Sequence, residues 1–185
     1  NVANRGLLAI GAGGPTGSLP AGDVLFNSAT ASATSARLLF FKSTDMTVPN
    51  NFNGPGTIFQ IGAGTTTLTG NNTTNQTTVV SGGKLRADFT NPAKSPISNG
   101  TALQISGGTF EYVAPAGDNT FRFNQLTNTV FSGTNGLFAA VMVGGGIGDG
   151  TVQSTYGGSG TQTLLFNGIA RGTAGVTTNF ITSGG

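Results

Sequence analysis

The sequence predicts an all-β chain arranged as a solenoid, and three observations carry that prediction. Runs of roughly three to six Thr, Val, Leu, Ile and Phe residues recur at intervals of about ten, each closed by Gly, Asn or Pro. No stretch sustains the apolar period of about 3.6 residues that marks a helix. The turns are mostly not of the two-residue hairpin kind, Asn135-Gly136 being the main exception. Short strands also suit a sandwich or a barrel, but the repetitive polar residues suit like stacking on like in successive coils. One coil cannot bury its apolar face alone, so neighbouring coils supply the core. Val, Ile, Leu and Phe then line the inside, Asn and Gly take the corners, and Thr rows stack outside. At about 20 residues per coil, the 185 residues make roughly nine short coils.

The elements follow in order. Arg5 to Ile10 is a strand, and Gly11 to Gly22 is a turn-rich loop punctuated by Pro15 and Pro20. Val24 to Phe26 is a strand; Ser28 to Ala36 is a small-residue segment in which Ser and Thr favour a loop over a short helix. Leu38 to Phe41 is a continuous apolar run, as in a strand buried on both faces. Met46 and Val48 alternate, and a Pro49-Asn50-Asn51 turn follows. Thr57 to Ile61, Thr65 to Leu68, Thr77 to Val80 and Lys84 to Phe89 are strands. Thr90 to Gly100 is a second loop, with Pro92 and Pro96. Thr101 to Ser106, Thr109 to Val113 and Thr120 to Leu126 resume the strands. Thr129 to Ser132, Leu137 to Val143, Val152 to Tyr156, Thr163 to Phe166 and Val176 to Thr182 complete them.

Composition narrows the function. Only 8% of residues are charged, against about 25% in typical domains, and Thr, Asn and Ser replace them at the surface. That suits a β-rich secreted protein. Eight basic residues, scattered from Arg5 to Arg171, form no cluster, so no nucleic-acid partner is expected. There is no Cys, hence no disulfide or thiol chemistry, and no His, hence neither the commonest general base nor the commonest metal ligand. Leu137 to Val143, the longest apolar run, falls far short of the ~18 residues of a membrane helix. The chain starts at Asn1 without Met and ends on Ser-Gly-Gly. It reads as a single module, residues 1–185, excerpted from a longer tandem-repeat polypeptide.

Several segments resemble the autotransporter-associated β-strand repeat of bacterial passenger domains and giant surface proteins. The core of the likeness is Gly62-Ala63-Gly64-Thr65, Leu68-Thr69-Gly70-Asn71-Asn72-Thr73, Thr77-Thr78-Val79 and Gly83-Lys84-Leu85. Leu39-Phe40, Ser43, Val48 to Gly54 and Gly56-Thr57 are similar to the segment leading into that repeat. Leu103, Gly107 to Tyr112, Arg171 and Gly175 to Phe180 are similar to the segments that follow it. Thr66 stands where the family usually has an apolar residue, and Thr74 replaces a frequent Tyr. The turn beyond lacks the usual Gly, leaving Asn75 for the left-handed position. The resemblance implies a right-handed parallel β-helix, secretion to the cell surface, a structural or adhesive role, and no catalytic residues.

Candidate chemistry is sparse. Asp88 and Glu111, about one coil apart, are the one carboxylate pair that could stack as a glycosidase pair does. The other acids, Asp23, Asp45, Asp118 and Asp149, are isolated. Gly144 to Gly150 (GGGIGDG) approximates one copy of a Ca²⁺-binding repeat with its Asp one residue early, and reads as a turn. Asn71, Asn72, Asn75 and Asn99 each open N-x-Thr but suit turns and stacking. Phe40, Phe41, Phe121, Phe123 and Phe131 read as core; Tyr112 and Tyr156 are the aromatic residues able to meet a sugar.

The expectation is therefore a non-enzymatic structural module without catalytic, cofactor or metal residues, forming a stiff rod in an extracellular fibre or cell-surface layer. Its partners are neighbouring modules or other copies of itself. An adhesin binding surface glycans or neighbouring cells is the alternative, and a polysaccharide-active enzyme using Asp88 and Glu111 the third reading.

Overall fold

The computed structural model describes residues 2–184 apart from 4–5, 28–35, 75–76, 129–148, 157 and 173; among them it contains strands and no helix. In chain order the strands are β1 (Val2–Ala3), β2 (Leu7–Ile10), β3 (Val24–Asn27), β4 (Ala36–Phe40), β5 (Met46–Val48), β6 (Phe52–Asn53), β7 (Gly56–Gln60), β8 (Thr65–Leu68) and β9 (Thr78–Val80). There follow β10 (Lys84–Asp88), β11 (Ala102–Ile105), β12 (Thr109–Val113), β13 (Asn119–Phe123), β14 (Gln125–Asn128), β15 (Gly150–Thr155), β16 (Gln162–Phe166), β17 (Ile169–Arg171) and β18 (Thr178–Ser183).

A seven-stranded sheet is ordered β17-β14-β11-β9-β7-β4-β2, and a six-stranded one β18-β15-β12-β10-β8-β5. A third side carries β1-β3-β6 and the pair β13-β16. Scattered hydrogen bonds, rather than a strand ladder, span the gap between those two groups. Asn72 bridges to Phe52, its N–H donates to Ser95 O, and Gly100 N–H donates to Arg122 O. Every pairing within the named sheets is parallel, and from β4 onward, among the described strands, one of the seven-stranded sheet is always followed by one of the six-stranded sheet. Parallel neighbours cannot be joined by a tight hairpin, so the chain must travel around before it returns to the same sheet.

Side chains from all three sides meet in one core. In the seven-stranded sheet one inward row runs Leu8, Leu38, Ile58, Thr78, Leu103, Leu126, Ile169. In the six-stranded sheet another runs Met46, Thr66, Leu85, Phe110, Val152, Phe180. Thr66 is therefore an interior residue, 2% exposed. The third side adds Phe26, Phe52, Phe121 and Phe123. Phe rings continue the stack: Phe110 to Phe123 at 5.4 Å, Phe123 to Phe166 at 5.2 Å and Phe166 to Phe180 at 6.1 Å between centroids. Leu38, Leu39 and Phe40 are all fully buried, as the run Leu38 to Phe41 suggests, but Phe41, read as core, is only half-buried and belongs to neither core cluster. Leu38 and Phe40 join the main core, whereas Leu39 packs with Phe59 and Val79 in a second cluster on the opposite face of the sheet.

Two expectations need correction. The stack has seven strands in its largest sheet among the described residues, not roughly nine coils. A repeat of 20 holds where Ala36 faces Gly56 and Met46 faces Thr66, but loops stretch it to 30 between Leu7 and Arg37 and to 43 between Leu126 and Ile169. Thr120 to Leu126 is not one strand: Phe121 and Phe123 belong to β13, Leu126 to β14 in another sheet. Phe52–Asn53, directly after the Pro49-Asn50-Asn51 turn, is a further short strand, because Phe52 fills the core against Phe26 and Phe40. Strand β17 answers to no run singled out in the sequence. The expected strand at Thr129 to Ser132, the run Leu137 to Val143, Asn135-Gly136, Phe131 and Asn75 lie outside the described residues.

The corner between the two large sheets is built on glycine. At Gly83, φ is +48°, and a Cβ would sit 2.3 Å from Gly62 O on the preceding layer. At Gly108, φ is +77° and the Cβ would lie 2.8 Å from Gly82 C. Backbone stacks directly on backbone here, so neither position has room for a side chain.

Candidate functional site

Alternation along β10 turns Leu85 and Ala87 into the core and Lys84, Arg86 and Asp88 to the outer face of the six-stranded sheet. Glu111 of β12 lies on that same face. Register places Glu111 opposite Arg86, and Asp88 opposite Val113. Asp88 and Glu111 are thus diagonal neighbours rather than a facing pair. They lie 23 residues apart in sequence, but this layer repeats at 25, as Lys84 opposite Thr109 shows.

Glu111 is 2% exposed although it lies on the outer face. Arg86 Nε donates to its Oε2 at 2.9 Å, Lys84 Nζ lies 3.0 Å from the same oxygen, and Thr155 Oγ1 donates to Oε1 at 2.7 Å. The network extends over two more strands. Lys84 Nζ donates to Gln153 Oε1 at 3.4 Å, and Gln153 Nε2 donates to Thr155 Oγ1 and Ser183 Oγ, each at 3.1 Å. Burial pushes the Glu111 carboxyl up, but hydrogen bonds from Thr155, Arg86 and Lys84 outweigh it and leave the group below its ordinary value. A general acid would need the opposite shift. Lys84, Gln153, Thr155 and Ser183 carry no sequence signal of their own. They meet because β10, β12, β15 and β18 are successive neighbours in one sheet, and separations such as 69 residues between Lys84 and Gln153 and 44 between Glu111 and Thr155 match no single repeat length that a sequence pattern could display.

The remaining acids bind backbone or side chains of other layers or of their own turn. Asp45 Oδ1 accepts from Thr65 N–H at 2.7 Å, Asp118 Oδ1 from Thr161 N–H at 2.6 Å and Asp149 Oδ1 from Thr177 N–H at 2.9 Å. The Thr177 bonds hold the Asp149 carboxyl below its usual range. Asp23 accepts from the side-chain amides of Asn51 and Asn53. Asp88 caps its own turn, accepting from Thr90 N–H at 2.9 Å. Most of GGGIGDG lies outside the described residues. Among the described residues no group of three or more His, Cys, Asp or Glu could hold a metal ion, and no helix is long and apolar enough to cross a membrane.

The asparagines tie layers together, the stacking role their positions suggest. Asn71 N–H donates to Asn51 Oδ1 at 2.8 Å, and Ser95 N–H to Asn71 Oδ1 at 2.8 Å. Asn72, 3% exposed, accepts from Phe52 N–H at 2.8 Å and donates to Pro96 O. Asn99 Oδ1 accepts from Arg122 N–H at 3.2 Å. Both tyrosines are interior. Tyr112, 3% exposed, packs 4.8 Å from Phe89 and 5.4 Å from Phe121, and burial raises its phenol pKa. Tyr156, 9% exposed, donates to Ser159 O. Neither can form an exposed sugar platform.

Concavities among the described residues include one of about 260 Å³ lined by Ile169, Arg171, Val176 and Phe180 among others. A shallow polar hollow of about 360 Å³ on the outer face is lined by Asp45, Met46, Thr47, Thr65, Thr67 and Arg86. An apolar recess of about 420 Å³ opens beside β18, lined by Val152, Tyr156, Leu164, Phe166 and Phe180 among others. Around it Ile169, Phe180 and Ile181 are 66%, 57% and 47% exposed. No protein-family model matches the chain, and no curated protein and no solved structure matches it either.

Proposed function

We propose that the chain is a structural module of an extracellular bacterial surface protein, wound as a right-handed parallel β-helix of the autotransporter-associated repeat kind. The observation that carries the reading is the alternation, from β4 onward, of parallel strands of the seven-stranded sheet with those of the six-stranded sheet around one core, with polar side chains bonding from layer to layer. Right-handedness follows the general rule for crossovers between parallel strands. The acids and asparagines serve as staples between layers or within turns, an economy suited to a material. The partners are neighbouring modules or other copies of the chain, meeting at the strand edges of β16, β17 and β18. Immunogold labelling of intact cells of the source organism with antibody raised to the 185-residue chain tests this. Labelled surface fibres or layers support it; label confined to the cytoplasm refutes it.

A second reading, adhesion through glycans, is favoured by the hollow at Asp45, Thr47, Thr65, Thr67 and Arg86. An acceptor carboxylate beside a guanidinium suits a vicinal diol. Glycan-array binding that is lost in Arg86→Ala supports this second role; an array without hits removes it.

A further inference from the structure

Lys84, Glu111 and Gln153 bring an amine, a carboxylate and an amide together on the outer face of the six-stranded sheet. Glu111 of β12 faces Arg86 of β10 on one side and Gln153 of β15 on the other. The Lys84 side chain reaches across β12, so that its Nζ lies 3.0 Å from Glu111 Oε2 and 3.4 Å from Gln153 Oε1. Thr155 Oγ1 lies 2.7 Å from Glu111 Oε1 and 3.1 Å from Gln153 Nε2. One carboxylate thus meets the amine directly and the amide nitrogen through a single hydroxyl. Arg86 Nε, 2.9 Å from Oε2, holds that carboxylate in place. A nucleophile within hydrogen-bond reach of a base, which a third group orients, is the arrangement that nucleophilic chemistry requires. Two cations share one oxygen of a side chain only 3% exposed. That is one charge more than the carboxylate neutralises, and burial disfavours the surplus.

We propose that this cluster forms an intramolecular isopeptide bond between Lys84 Nζ and Gln153 Cδ, with release of ammonia. Lys84 Nζ passes one proton to Glu111 Oε2, and its freed lone pair attacks Gln153 Cδ. The Nζ–Cδ bond forms and the carbonyl π pair moves onto Oε1. Glu111 returns the proton from Oε1 through Thr155 Oγ1 to Nε2. The pair on Oε1 then reforms the carbonyl as the Cδ–Nε2 bond breaks. The departing ammonia removes a second Nζ proton and leaves as ammonium. Glu111 ends as it began, a carboxylate paired with Arg86, and no oxidant, metal or co-reactant is consumed. The carboxylate is ionised at the outset, as a proton acceptor must be. A weak base makes the step slow, but one event per chain is enough. The bond staples β10 to β15 across β12 and closes a loop of chain between positions 69 residues apart. Such a closure restricts the unfolded chain far more than the folded one.

The test is intact-mass spectrometry of the purified, folded chain before and after prolonged incubation at neutral pH, with peptide mapping. The expected result is a mass lower than that of the sequence by one ammonia, and a proteolytic fragment in which Lys84 and Gln153 are joined. Lys84→Arg, which keeps a cation beside Glu111, and Gln153→Met should each show the full mass of their sequences. Glu111→Gln should slow bond formation by roughly 10²-fold or more. Thr155→Val, which breaks the relay to Nε2, should slow it severalfold and reports on the mechanism should the Glu111 variant not fold. A folded unmodified chain that keeps its full sequence mass overturns the proposal. So does loss of water with Lys84 joined to Glu111. So does an ammonia loss that persists in Gln153→Met and maps to a succinimide at Asn53-Gly54 or Asn167-Gly168.

Discussion

Arg86 Nε and Glu111 Oε2 lie 2.9 Å apart on adjacent parallel strands, directly opposed in register. Since the Glu111 carboxyl is held below its ordinary value when folded, its ionised form stabilises the fold. That contribution is fully present above the unfolded-state pKa and is lost as pH falls through the folded one. Stability should be level from neutrality to about pH 5 and decline below about pH 4. Denaturant melts of Glu111→Gln across this range should show a shallower acid decline than the unmodified chain. An unchanged acid limb would show that Glu111 does not contribute.

The corner glycines separate two costs. Gly83→Ala must place a methyl 2.3 Å from Gly62 O at φ +48°, whereas Gly100, at φ +84°, has nothing within 4 Å. Gly100→Ala should cost about 1–2 kcal/mol, the left-handed penalty alone. Gly83→Ala should cost roughly 1–3 kcal/mol more because the layers must part. Chemical denaturation of both variants checks the difference; equal losses would mean that the corner relaxes freely.

Asn72 joins three layers and Asn91 only its own turn, where Asn91 Oδ1 accepts from Ala93 N–H at 3.0 Å. Asn72→Ala strands buried partners and should lose about 1–3 kcal/mol. Asn91→Ala should stay within about 0.5 kcal/mol. Amide hydrogen exchange at Phe52 should speed in the first variant and not in the second.

The exposed Ile169 and Phe180 end the interior rows in the last described layer. The purified chain should therefore self-associate at micromolar to millimolar concentration, and Ile169→Lys or Phe180→Lys should weaken association roughly tenfold or more. Sedimentation velocity over a concentration series reads this directly. A monomeric unmodified chain would show that these side chains are tolerated in water.

Strands and their interior residues were largely legible from sequence, because Gly and Asn punctuation and period-2 alternation are local. Thr65 to Leu68 and Thr109 to Val113 fall where the pattern puts them. The break at Asn124 was legible in principle: Phe121 and Phe123 keep alternation, and Leu126 slips it by one. Strand β17 is short, and its Ile169 has little burial to reward a pattern. The candidate site was less legible. Opposing Glu111 to Arg86 rather than to Asp88 requires the local repeat to be 25, a length set by the loop from Thr90 to Gly100 and not by any strand. The Thr155 and Gln153 contacts lie beyond the 129–148 segment, where the repeat jumps to 42 between Thr109 and Thr151.

That unevenness has a consequence for how such a chain can change. Sequence added between strands alters only how far the polypeptide wanders before rejoining its place above the previous layer. The vertical order of side chains survives it. A peptide tag or a foreign epitope grafted at Asn91 to Lys94 would therefore ride on the outside of an unaltered scaffold, while one residue slipped into β10 would invert everything it touches.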